Sequence, residues 1–211
     1  MANIKLYMTP GSCSTGIHIL LEELELVFEA HLVNLMAGDQ YQPEYKTINP
    51  KSTIPLLVTA DGIPITEFCA IAWWLARNHP KAKLLPETVK GEVSVLENMN
   101  YAVSTINMQG FTRIFTPEKY TFNESDIELV KAQGETMVKQ SFAIMDKVLE
   151  GNPYVAGEFS IADAALFYVE FWADRIDIEL PGNCQQHYKR MLKRPAVQRV
   201  MMEEGYVSLY Q

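Results

Sequence analysis

Asn49-Pro50-Lys51-Ser52-Thr53-Ile54-Pro55-Leu56-Leu57-Val58-Thr59-Ala60-Asp61-Gly62-Ile63-Pro64-Ile65-Thr66-Glu67 carries two short apolar runs around an Ala60-Asp61-Gly62 turn. That pattern predicts a β-hairpin, Leu56 to Thr59 against Ile63 to Ile65. Pro55 has no N–H to give a ladder, so it stands at a strand start, a common place for a cis peptide. Downstream, Ile71, Trp74 and Leu75 share one face and predict a helix over Glu67 to Arg77. Upstream, Lys5 to Met8 predicts a strand stopped by the turn Thr9-Pro10-Gly11. Ile17, Leu20, Leu21 and Leu24 then predict an amphipathic helix from Ser14 to about Leu26. Phe28 to Asn34 reads as a second strand, and Pro43 to Asn49 as a short helix ending before Pro50. The order βαβ, helix, ββα predicts an α/β unit with a mixed four-stranded sheet.

Beyond residue 80 the rhythm changes. Between Pro86 and Pro153 the only proline is Pro117, which predicts two long helices, about Lys90–Phe115 and Ser125–Leu149. Shorter helices are expected near Ser160–Arg175, Cys184–Leu192 and Pro195–Glu204. The chain therefore divides into an α/β domain (1–79), a linker (80–88) and an all-α domain (89–211). In Phe159-Ser160-Ile161-Ala162-Asp163, Ser160 and Asp163 stand at N-cap and N3 and predict a reciprocal capping box, with Phe159 packing on Ala164. Ile161, Ala164, Ala165, Tyr168, Phe171 and Trp172 form an apolar stripe behind it.

The 211 residues carry 18 basic and 26 acidic side chains, a net charge of −8, with no basic stripe, which argues against nucleic-acid binding. No apolar run reaches the ~18 residues of a membrane span, and Met1 to Lys5 does not resemble a signal peptide. Three dispersed cysteines, Cys13, Cys69 and Cys184, fit a reducing, cytoplasmic compartment. Histidines His18, His31, His79 and His187 are read as carrying no metal.

Three places can hold chemistry. Cys13, between the first strand and first helix, would have its thiolate stabilised and its pKa lowered by unpaired N–H groups; equally, Ser12 or Ser14 simply caps the helix and Cys13 is a small filler. Ile54-Pro55 can leave backbone groups for an extended peptide ligand, or merely begin an edge strand. Thr66-Glu67-Phe68-Cys69 opens a helix whose N–H groups suit a carboxylate, with Glu67 able to accept an ammonium or to complement the dipole.

Together these segments resemble the cytosolic glutathione transferase family, most closely its bacterial beta class. Tyr7-x-Thr9-Pro10-Gly11-Ser12-Cys13-Ser14, Asn49-Pro50-Lys51…Ile54-Pro55-Leu56-Leu57, Asp61-Gly62…Ile65-Thr66-Glu67 and Gly157-x-Phe159-Ser160-Ile161-Ala162-Asp163 follow the family's order along nearly the whole chain. The resemblance implies a thioredoxin-like N-terminal domain, an all-helical C-terminal domain and a homodimer. It implies glutathione as co-substrate, lying along Ile54-Pro55, its γ-glutamyl end at Glu67 and the N–H of Phe68, with Lys51 also in the binding set. Cys13, aided by Ser12 or Ser14, would contact the glutathione sulfur and form mixed disulfides. Met108, Phe111 and Phe115 would line a pocket for a small hydrophobic electrophile, in a detoxifying transferase, or equally belong to the buried core. Three departures point to the alternative of a non-catalytic binding scaffold. Phe68 replaces a small residue and adds a ring at the carboxylate site, Met108-Gln109 stands where the beta class often has a His-Lys pair, and the loop Leu35-Met36-Ala37-Gly38 lacks a basic residue for glutathione's glycine carboxylate.

Overall fold

The structure, a computed structural model, describes residues 3–207. Four strands, β1 (Ile4–Met8), β2 (Phe28–Leu32), β3 (Leu56–Val58) and β4 (Pro64–Thr66), form one sheet in the order β2-β1-β3-β4. β1 and β2 run parallel, with Leu6 opposite Ala30; β3 is antiparallel to β1, with Leu57 opposite Leu6. The hairpin closes with Leu57 opposite Ile65. The mixed four-stranded sheet expected from the sequence is present.

Helices α1 (Ser14–Glu23), α2 (Pro43–Ile48) and α3 (Phe68–Asn78) complete the first eighty residues. α1 buries every residue from Ser14 to Leu21 because it packs against β1, α3 and a late helix, α9 (Pro195–Glu203). It stops at Glu23 rather than near Leu26. Glu25 takes φ +52° and the Leu26 N–H bonds the Leu21 carbonyl at 3.1 Å, a left-handed C-cap. Glycine or asparagine normally signals such a cap, and neither is here.

Two compact units emerge, Leu85–Arg190 in one, and Met1–Leu84 with the segment from Met191 onward in the other. The first break falls inside the expected linker. The second differs from the sequence division, which assigned everything after residue 88 to the helical domain: α9 belongs to the α/β unit. Arg194 pairs with Glu23 (2.7 Å) and Arg199 with Glu22 (2.8 Å), tying α9 to α1.

In the helical unit, α4 (Val89–Asn100) starts at Thr88, whose Oγ1 accepts the Gly91 N–H at 3.1 Å. It continues through wide π-helical turns over Tyr101–Phe111 into α5 (Thr112–Phe115). α6 (Ile127–Val148), α7 (Ile161–Arg175) and α8 (Gly182–Met191) follow. α7 is more than a striped helix. From Ile161 to Phe171 every residue is buried, so it is the central element of this unit.

A built Cβ on Gly134 would sit 2.9 Å from the Gly110 carbonyl oxygen and 2.8 Å from Arg113 Cβ, so the two backbones meet at a pair of glycines. Gly134→Val should lose about 1–3 kcal/mol by overpacking, read as a lower denaturation midpoint.

Candidate active site

Every element of this site lies in the α/β unit. The turn leaving β1 is closed by a small hydroxyl network. Ser14 Oγ donates to the Thr9 carbonyl (3.1 Å) and accepts the Thr9 N–H (3.1 Å). Ser12 Oγ lies 2.7 Å from Ser14 Oγ and accepts the Ser14 N–H at 3.1 Å. Because the Ser14 proton goes to Thr9, Ser12 donates to Ser14, and both hydroxyl protons are spent. Ser12 and Ser14 therefore shape the turn. In this arrangement neither hydroxyl is directed at Cys13 Sγ, which fits the turn-capping alternative that the sequence left open.

Cys13 stands at the N-cap of α1, half-buried, with its Sγ donating to the Ile54 carbonyl at 3.5 Å. The Ile54–Pro55 peptide is cis. Its approach is braced by the Thr53 carbonyl, which accepts from Tyr45 Oη (2.6 Å) and Asn49 Nδ2 (2.8 Å). Asn49 also accepts the Lys51 N–H at 3.1 Å through Oδ1. The expected depression of the Cys13 pKa is not found. Burial pushes the thiol up to about 12, the Cys13 and Ser14 N–H groups pull it down, and the Glu67 carboxylate raises it further. Desolvation outweighs the helix terminus. Cys69 is likewise raised to about 11 by burial and then Glu67, while Cys184 is buried and raised.

Glu67 heads α3 at φ +70°, ψ 127°, a conformation that costs a non-glycine residue about 1–3 kcal/mol. Its Oε1 lies 2.8 Å from Lys51 Nζ, which also donates to Thr66 Oγ1 at 2.9 Å. Both side chains are exposed, so an opposed cation and anion stand together at a helix N-terminus. A ligand carrying both an ammonium and a carboxylate matches that pair.

Phe68 occupies a different place from the one expected. It is 4% exposed, among the buried residues of α3 that include Ile71 and Leu75. It adds no bulk at the mouth of α3, and serine there would remove a core side chain without opening a site.

Met108 and Phe115 are exposed on the helical unit, whereas Phe111 is wholly buried. Phe111 stacks on Phe115 (5.5 Å between centroids), and both meet Trp172 edge-on at 5.3 and 5.4 Å. Phe111 is thus a core residue, the alternative that the sequence left open for it.

Sequence reasoning missed Glu204. Its Oε2 accepts the Gly11 N–H (2.7 Å) and Thr15 Oγ1–H (2.6 Å), anchoring the turn ahead of Cys13 from the C-terminal end of α9. No local pattern signals a contact spanning some 190 residues. Tyr45 carried no motif either, although Asn49 lay within the quoted segment. Among the described residues no helix is long and apolar enough to cross a membrane.

Residues 11–78 match the family described as glutathione S-transferase, N-terminal domain, and residues 128–200 match glutathione S-transferase, C-terminal domain. The chain is 33% identical to glutathione S-transferase GstA of Escherichia coli O157:H7, over 96% of this chain and 99% of that protein. A Sulfitobacter glutathione transferase homolog, solved with bound glutathione, superposes with TM-score 0.89 at 28% identity, covering 96% of this chain and 99% of that one. The beta-class enzyme of Sphingomonas chungbukensis gives TM-score 0.82 at 29% identity, covering 96% and 100%. On the two domain matches and the relative 33% identical over nearly the whole chain, this chain belongs to the glutathione S-transferase family.

Proposed function

We propose that the chain is a beta-class-like glutathione transferase, binding glutathione along Ile54-Pro55 and transferring it to small hydrophobic electrophiles as a cytoplasmic homodimer. One observation carries the reading: Cys13, the Ile54 carbonyl and the Lys51–Glu67 pair surround the head of a cis-proline hairpin within one unit. The amino-acid end of glutathione is a zwitterion, and Lys51 and Glu67 offer it the complementary charges. An extended peptide pairing with Ile54 would take over the carbonyl that Cys13 now holds. That exchange releases the Cys13 S–H to face the glutathione sulfur.

Because burial holds Cys13 as a thiol, it acts as a hydrogen-bond donor to the glutathione thiolate, which is then the nucleophile. Phe68, buried in the core, no longer supports the scaffold alternative. Met108 and Phe115 remain the proposed contacts for the electrophile, and no step here depends on a metal.

Calorimetric titration with glutathione tests the proposal. Saturable binding is expected, weakened roughly tenfold by Glu67→Gln, which removes the charge from one hydrogen bond. An absence of heat, together with no competition by S-alkyl glutathiones, would overturn it.

A further inference from the structure

A second cluster lies on the α1–α9 face of the α/β unit, and apart from Glu204, which braces the Cys13 turn, the glutathione reading uses none of it. His18 is 3% exposed, with Nδ1 2.8 Å from Glu204 Oε1 and Nε2 3.1 Å from Glu203 Oε2. Glu22 lies one turn along α1, at i+4 from His18, a spacing legible in the sequence. One ligand atom from each of His18, Glu22 and Glu203 falls within 4.8 Å of the others. They border a cavity of about 410 Å³, also lined by Leu26, Val27, Phe28 and Leu32.

Hydrogen-bond accounting fixes the imidazole. Glu204 is buried, and its Oε2 already accepts from Gly11 and Thr15, so its carboxylate is immobilised with Oε1 aimed at Nδ1. A carboxylate only accepts, so Nδ1 carries a proton. Nε2 then faces Glu203 Oε2 at 3.1 Å, a gap that either a proton or a metal ion can bridge. His187, in the helical unit, faces the same situation between Glu170 and Asp163, at 2.8 and 3.1 Å, but all three side chains are sealed from solvent. There only a proton can mediate. At His18 the third carboxylate and the cavity admit something larger.

We infer that His18 Nε2, Glu203 and Glu22 form a divalent-cation site for zinc or a similar first-row metal, with Glu204 orienting His18 from behind. A carboxylate holding the far nitrogen is the usual partner of a metal-bound histidine. Imidazole with two carboxylates is a nitrogen–oxygen donor set that suits zinc. Donors about 2.1 Å from a tetrahedral ion lie about 3.4 Å apart, close to the observed 3.1 Å between Nε2 and Oε2. Glu203 is 56% exposed and free to adjust. Glu22 gives Oε2 to Arg199 at 2.8 Å and keeps Oε1 for the ion. The cavity supplies room for a water or an exogenous ligand at the remaining position.

Zinc titration by calorimetry tests the assignment, using metal-stripped full-length protein in which Cys13→Ser and Cys69→Ser remove competing thiols. One zinc per chain is expected. Glu203→Gln, at an exposed position that leaves the fold intact, should weaken binding about tenfold, and Glu204→Gln about 10–100-fold. Zinc should raise the melting temperature of the parent more than that of the Glu203 variant. No saturable binding, or a loss under about threefold in Glu203→Gln, would overturn the site and leave His18 as a hydrogen-bonded link between two carboxylates.

Discussion

His187→Leu should cost about 3–5 kcal/mol, the penalty for stripping a buried charge of its partner. His187 Nδ1 bonds Glu170 Oε2 at 2.8 Å and Nε2 bonds Asp163 Oδ1 at 3.1 Å, with all three side chains fully enclosed. The two carboxylates differ in what remains after the histidine is gone. Asp163 keeps the Ser160 N–H, the Ser160 hydroxyl and the Val155 N–H, all at 2.8 Å, because it also closes the capping box of α7. Glu170 keeps nothing from that set: its Oε1 has no partner among the described residues even in the intact protein. The stranded group is therefore Glu170. Chemical denaturation of His187→Leu should show the loss, and the double variant with Glu170→Leu should recover much of it. A double variant as unstable as the single would place the penalty on packing.

The same cluster sets a pH dependence. Burial opposes charge on His187, but the Glu170 carboxylate and the bonds to Asp163 and Glu170 carry its pKa from 6.5 to about 10. Burial raises Glu170 from 4.5 to about 7, against the pull of His187. In both cases the folded chain binds a proton that the unfolded chain releases. Stability contributed by His187 is thus complete below pH 6.5 and lost as pH rises through 10; that of Glu170 is complete below 4.5 and lost through 7. Both slopes have the same sign, so stability falls with rising pH, and His187→Leu should flatten the alkaline part.

Local pattern carried the fold far. Pro55 and Asp61-Gly62 marked the hairpin, Ser160 and Asp163 marked the start of α7, and helical spacing placed α1 and α3 to within a few residues. What stayed hidden depends on partners distant in sequence. Nothing within α9 says that it will pack on α1, or that Glu204 will take the Gly11 N–H. Phe68 looked obstructive because its neighbours in sequence are site residues, yet a helix start points successive side chains in different directions, and this one turns inward. The Cys13 pKa was misjudged for a similar reason. The stabilising N–H groups are read from the helix position, whereas burial beneath the Ile54 segment appears only once the chain is folded.

Cys13→Ala should abolish any mixed disulfide at this site and lower kcat/KM for conjugation about tenfold. With burial holding its pKa well above the ordinary thiol value, Cys13 rests as the thiol at pH 7 and is not the resting nucleophile. As a thiol it donates, and removing a donor to an anion costs about 1.5–3 kcal/mol, with the weakness of S–H placing it at the lower end. The lost bond favoured the glutathione thiolate over the thiol, so the pH at half-maximal rate should move up by about 1 in the variant. Glutathione affinity measured well below that pH, where the bound sulfur stays protonated, should change little. Cys13→Ser separates the two chemistries: a hydroxyl still donates, so conjugation should largely return while disulfide exchange does not. If Cys13→Ser is as impaired in conjugation as Cys13→Ala, the donor role is wrong, and the sulfur itself, through a thiolate formed only after glutathione binds, carries the reaction.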